Sequence, residues 1–313
     1  MIFALSTHWN ASRHSDGEAM IQEILDMGID HVELGYDTRI DLVPGIKTMV
    51  DQGAVKINSV HNFCPVPIGA PQGHPELFTL ASSDRRIRES AVEHIGRTIA
   101  FAAEVGAKAV VTHAGNVEMK HFTLDLLHYV AANQQFQPKA EKLKLKLQLT
   151  REKKVHKQLP FLREGIEKLL PLMEQHQVFL ALENLPTWEA IPTEAEMMDL
   201  LRDYGNSRLR YWHDLGHGQI RENMGMINQE RWLEKLQPFL IGMHVHDVMP
   251  PGEDHVMPPH GHIDFSRFKT IGASDIIRVI EPRPNTPREA IVEAHTFLKE
   301  AWGTPSPQTE IES

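Results

Sequence analysis

Short apolar runs alternate with amphipathic segments along almost the whole chain, and the alternation predicts strands and helices in turn. The runs IFALST, HVELGY, KINSVHNF, AVVTHAG, VFLALENL, LRYWHDLG, IGMHVHDV and IIRVIEP predict eight strands. Between them, SDGEAMIQEILDMG predicts a helix, with Ser15 and Glu18 as a capping box and Gly28 as its stop. DRRIRESAVEHIGRTIAFAAEVG and TEAEMMDLLRDYG share that grammar. TPREAIVEAHTFLKEAW predicts the last helix, with Thr286 as N-cap and Pro287 at its first position. Eight strand–helix units predict a single α/β domain over residues 1–302, a (β/α)8 TIM barrel whose parallel strands close without an edge. A doubly wound sheet would need a Gly-rich turn after its first strand, and none is present.

One unit is oversized. After the fourth strand, residues 117–160 predict a helical excursion that includes PKAEKLKLKLQLTREKKVHK, with eight Lys or Arg against two Glu. Its spacing fits a solvated helix; a nucleic-acid or dimer contact is the alternative. Residues 303–313 have no apolar face and predict a flexible tail.

Composition narrows the function. With 32 basic and 42 acidic residues the chain carries −10 at pH 7, which disfavours nucleic acid as the main partner. Cys64 is the single cysteine, so no internal disulfide forms and a cytoplasmic location is expected. No run approaches 18 apolar residues, so no membrane span is expected.

In such a barrel the chemistry sits at the C-terminal strand ends. The predicted strands end near Glu33, His61, His113, Glu183, Asp214, His244 with His246, and Glu281. Side chains alternate faces, so Glu183 lies in register with Ala181 and Phe179, Glu281 with Val279 and Ile277, and His244 with Gly242. Three anions converging on one mouth repel unless a cation neutralises them. Carboxylates with one imidazole suit Mn2+, Mg2+, Co2+ or Zn2+. Glu183 is thus expected to face one divalent metal.

Other candidates have two readings. Trp9 and Trp188, in predicted loops, are either walls for a sugar ring or plain packing; Trp212 and Cys64 read as packing. Arg283 either holds a substrate phosphate or carboxylate or pairs with a neighbouring acid. Glu33 either accepts from a sugar hydroxyl or orients a ligand histidine.

The motifs ALENLP, WHDLGH, GMHVHD and VIEP, in this order over residues 1 to about 300, resemble those of the xylose-isomerase-like TIM barrels. That superfamily contains sugar and sugar-phosphate isomerases and epimerases, inosose dehydratases and endonuclease IV (AP endonuclease family 2). The resemblance to ketose 3-epimerases implies that Glu183, Asp214, His244 and Glu281 hold the metal and that Glu183 and Glu281 form the acid/base pair. It also implies that His217 contacts substrate. The chain departs from those epimerases at Pro250, where their substrate-binding arginine is expected. The resemblance to endonuclease IV implies up to three Zn2+, with His61, His113, His217, Glu253 and His255 as further ligands.

The function expected is therefore a divalent-metal-dependent sugar or sugar-phosphate isomerase or epimerase. It would transfer a proton α to a carbonyl through a metal-bound enediolate. His246, Arg283, Trp9, Trp188 and Glu33 are the expected substrate contacts, and a homo-oligomer is an expected assembly. The alternatives are a multinuclear zinc phosphodiesterase, or a keto-inositol or keto-sugar dehydratase.

Overall fold

A computed structural model of the chain describes residues 1–303; the rest of the expected tail, 304–313, lies outside the described residues. The barrel strands are β1 (Ala4–Ser6), β2 (His31–Leu34), β3 (Lys56–His61), β4 (Ala109–Thr112), β5 (Phe179–Glu183), β6 (Leu209–Asp214) and β7 (Leu240–Val245). A small antiparallel hairpin, β8 (Asp247–Met249) and β9 (Glu253–Val256), follows β7, and β10 (Ile277–Ile280) completes the barrel. The eight barrel strands close in the order β1-β10-β7-β6-β5-β4-β3-β2, every pair parallel. This is the (β/α)8 barrel that the alternating pattern predicts.

The interior is small and apolar. Ala4, Ala109, Val111, Ala181, Trp212, Ile277 and Val279 form one buried cluster inside the ring of strands. Trp212 lies across Gly242, where a Cβ would meet the indole at 2.2 Å, so only glycine fits opposite that ring. The register Asp214↔His244 and Val279↔His244 then sets the polar residues at one level above this floor. A larger apolar layer packs between strands and helices, with Ile21, Ile24, Ile99, Ile166, Leu200 and Leu298 among its members. No helix among the described residues is long and apolar enough to cross a membrane.

Between β4 and β5 run three helices, Phe122–Ala131, Pro138–Val155 and Leu159–His176. The third packs beside the helix Arg85–Glu104 as part of the barrel wall. The first two are tied to the loop after β5 by buried charge. Glu189 accepts from the amides of Phe122 and Thr123, at 2.6 and 3.0 Å, and from the Thr123 hydroxyl at 2.5 Å. Arg151 donates to Glu196 at 2.6 and 2.8 Å and to the Ala190 carbonyl at 2.7 Å. Glu189 is fully hydrogen-bonded and Arg151 is both paired and hydrogen-bonded, which offsets the cost of burying them.

Two helix starts shift from expectation. Asp16, not Ser15, caps the first helix, Gly17–Leu25; its carboxylate accepts from the amides of Glu18 and Ala19 at 3.3 and 3.1 Å. The last helix, Arg288–Trp302, begins one residue later than expected, because the Thr286 hydroxyl donates back to the Arg283 carbonyl at 2.9 Å.

Candidate metal centre

The C-terminal ends of β5, β6, β7 and β10 carry Glu183, Asp214, His244 and Glu281 into one buried cluster. His244 Nδ1 lies 3.2 Å from Glu183 Oε1, 3.3 Å from Glu281 Oε2 and 3.8 Å from Asp214 Oδ2. On its other side, Nε2 sits 3.0 Å from Glu33 Oε1, while Glu33 Oε2 accepts from the Ser59 hydroxyl at 2.7 Å. With Nε2–H donated to Glu33, a neutral His244 aims a lone pair at three carboxylates. Lone pairs and anions repel, so this arrangement calls for a positive charge in their midst: a proton on the ring or a cation between the groups. Carboxylate oxygens plus one imidazole nitrogen are donors that suit a divalent metal, so the residues fit one.

The protonation states follow the same field. Burial alone would raise the Glu183 carboxyl, but the imidazoles of His244 and His113 outweigh it and hold it well below the usual range. Burial opposes charging His244, yet Glu281, Glu33 and Glu183 raise it well above an ordinary histidine. Glu281 is pushed up by burial and by Glu183, despite the pull of His244.

Asn184 ties the end of β5 to the end of β6. Its side-chain oxygen accepts from the Asp214 amide at 2.8 Å, and its NH2 donates to the Asp214 carbonyl at 3.0 Å. Asp214 also caps the helix Leu215–Asn223, accepting from the His217 amide at 2.7 Å. Carboxylate and imidazole are thereby presented by one turn.

Five more histidines surround this core. His61 Nε2 and His113 Nε2 each lie 3.2 Å from Glu183 Oε2. His61, His217 and His255 place Nδ1 within 3.1, 2.9 and 3.1 Å of the carbonyls of Asn62, Asn184 and Glu281. A donated Nδ1–H leaves each Nε2 with a free lone pair. His246 Nε2 reaches Asp214 Oδ2 at 3.0 Å, and its Nδ1 is met by the His255 amide at 2.8 Å. Burial would lower His246, but Asp214 raises it to about 9. Ligand atoms gather within 4.8 Å of one another in several sets, among them Glu183–Asp214–His244, His61–His113–Glu183 and His217–His246–His255.

Several expected residues behave differently. Glu253 does not join the cluster: it is exposed and pairs with Arg283 at 2.9 Å, whereas Asp254 lies 4.0 Å from His217 Nε2. His255 adopts φ +51, so the segment is not a continuous extended strand, and the position that the endonuclease IV resemblance gives to Glu253 faces away from the cluster. Arg283 takes the pairing role, with Asp254 at 3.6 Å as a second acid. Glu33 takes the orienting role, since both its oxygens are engaged. Trp9 is buried, donates its indole N–H to the Thr286 carbonyl at 2.7 Å and has Arg13 over its ring, so it serves packing rather than a sugar face. Trp188 packs against the apolar layer with Arg221 5.5 Å from its ring centre. Trp212 and Cys64 are fully packed.

Sequence reasoning missed His8, Tyr36 and Asp37 at the ends of β1 and β2. No spacing marks them, because they meet across two different loops. Tyr36 contacts His61 edge-on, with ring centres 5.2 Å apart. Burial, Glu281 and Asp37 push its phenol up.

A family model described as "Xylose isomerase-like TIM barrel" matches residues 21–301. An uncharacterised protein of Methanocaldococcus jannaschii is 21% identical over 247 residues, which cover 79% of this chain and 78% of that one. A D-tagatose 3-epimerase-like protein is similar in structure with a TM-score of 0.67 at 20% identity, over 96% of this chain and 97% of that one. The 3-keto-D-glucoside 4-epimerase from E. coli gives 0.70 at 16%, over 96% and 99%. The IolI protein with a bound zinc atom gives 0.62 at 15%, over 96% and 98%. At such identities the structural likeness is one of fold. The family match spans most of the chain, and the protein belongs to the xylose isomerase-like TIM barrel family.

Proposed function

We propose that this protein is a divalent-metal-dependent enzyme that isomerises or epimerises a small sugar or sugar phosphate by proton transfer α to its carbonyl. The observation that carries the reading is His244 Nδ1, held within 3.8 Å of three carboxylates from three other strands while Glu33 fixes its far side. Glu183, Asp214, His244 and Glu281 would hold the metal, which when bound would polarise the carbonyl and stabilise negative charge on its oxygen. Glu183 and Glu281 come from different strands and would hold the ion from different sides of the cluster. In this reading one carboxylate takes the C–H proton and the other returns it. The sugar epimerases among the structural neighbours support this substrate class.

A second reading is a multinuclear zinc phosphodiesterase. It is favoured by the two additional sets, His61–His113–Glu183 and His217–His246–His255, beside the first. The displacement of Glu253 from the cluster counts against it in its simplest form, because that ligand position is left to Asp254.

Elemental analysis of protein reloaded with metal, paired with proton NMR of ketohexoses in D2O, separates the two. About one Mn, Mg or Co per chain with loss of the C–H signal next to the carbonyl is the expected result. Two or three zinc ions per chain, no C–H exchange and cleavage of an abasic-site duplex would overturn it in favour of the second reading.

A further inference from the structure

Apart from Glu33, the ends of β1 and β2 bring no carboxylate to the buried cluster. They bring a hydrogen-bonded chain instead. The Tyr36 hydroxyl lies 3.1 Å from His8 Nε2, and His8 Nδ1 lies 3.2 Å from Asp37 Oδ2. When Nδ1–H is donated to Asp37, Nε2 carries the lone pair and accepts the phenol proton. Acid, imidazole and hydroxyl in that order make a hydroxyl oxygen able to accept a proton, whatever fold presents them. The chain also has a direction. Its phenol end touches His61 beside the cluster, whereas the side chains of His8 and Asp37 each keep 17% of their surface exposed. Gly35 lets the two loops come this close, since a Cβ there would sit 2.9 Å from both Asp37 Oδ1 and the His8 amide nitrogen.

We infer that Tyr36, backed by His8 and Asp37, exchanges the proton of a substrate hydroxyl, so that the site moves a carbonyl along an α-hydroxy-carbonyl sugar rather than only inverting one carbon. This rests on the function proposed above. Inversion moves a single C–H proton. Transposition moves that proton and a hydroxyl proton as well. In the forward half, a carboxylate takes the C–H proton from the carbon that bears the hydroxyl. The C–H electron pair forms the C=C bond, and the carbonyl π pair moves to its oxygen. The hydroxyl proton passes to the Tyr36 oxygen, the Tyr36 proton passes to His8 Nε2, and Asp37 holds the imidazolium. In the second half, a lone pair on the deprotonated oxygen forms the new carbonyl, and the C=C pair takes a proton from the carboxylate at the other carbon. His8 returns its proton through Tyr36 to the former carbonyl oxygen. No proton or electron is gained or lost.

The test uses the full-length, metal-reloaded protein with D-fructose, D-tagatose and D-psicose in D2O, read by proton NMR. Two rates are measured: C–H exchange, and appearance of the carbonyl-transposed sugar (aldose or 3-ketose). Tyr36→Phe is expected to lower transposition relative to exchange by about 100-fold, within the range typical of proton-transfer groups, with metal content unchanged. His8→Gln, which reaches the cluster through Tyr36, is expected to do the same and decides the matter if Tyr36→Phe loses metal. In nitrogen-15 spectra, Tyr36→Phe should also shift the His8 Nε2 signal as it loses its donor. An unchanged ratio in both variants, or wild-type exchange without any transposed sugar, overturns the relay and leaves the proposed function standing. Absence of C–H exchange in the wild type ends both.

Discussion

The two ends of the barrel are made from the same strands and treat charge in opposite ways. At the C-terminal end, Glu33, Glu183, Asp214 and Glu281 are buried together, and among the described residues the cationic side chains that pair with them are all imidazoles. At the N-terminal end a cavity of about 840 Å³ is lined by Lys108, Arg210, Lys269 and Arg278. There the guanidinium groups complete backbone carbonyls. Arg210 donates to Gly205, Ser207 and Leu209 at 3.1, 2.8 and 2.7 Å, and Arg278 donates to Ile276 at 2.9 Å and to Gly272 and Ser274. The difference is between charge that is satisfied and charge that is left waiting. Donors matched to carbonyls hold loops in place; clustered acids whose cationic partners are all imidazoles call for further positive charge.

Substitutions at the two ends should therefore separate chemistry from stability. The largest effect is expected for Glu183→Gln, which removes the carboxylate that His61, His113 and His244 share. C–H exchange in D2O should fall by roughly 1,000-fold or more, within the range for acid–base groups, while the melting temperature changes little. A variant that keeps full exchange would break the assignment. Glu33→Gln is next. It releases His244 Nε2, and metal affinity should drop by about 10–100-fold, as for partners that orient ligand histidines; competition with a chelating dye measures it. The smallest effect on chemistry belongs to Arg278→Met, expected to cost about 1–3 kcal/mol in urea unfolding through unpaired carbonyls and to leave metal content as it was. Lost metal in that variant would mean that the two ends are coupled.

Much of this layout was legible in the sequence because it depends on period. The alternation of apolar runs predicts eight strands, and strand ends in a parallel barrel share a side, so Glu183, Asp214, His244 and Glu281 could be placed together before any coordinate. What escaped depends on contacts between loops. Asn184 stands beside Glu183 in the sequence, but its grip on Asp214 becomes visible only once β5 and β6 are paired. The Tyr36–His8–Asp37 chain joins two turns with no helical or strand repeat to signal it. Glu253 rests on the resemblance to endonuclease IV alone, and no local pattern marks that its neighbour Asp254 is the acid nearer His217.

Trp212, lying across Gly242 at mid-height, bears on how the site is reached. The indole stoppers the bore of the barrel, so no solute passes from one end to the other. Whatever the cluster binds must enter and depart by the same doorway. A substrate arriving and a product leaving then exclude one another, and inhibition by product should be competitive with substrate.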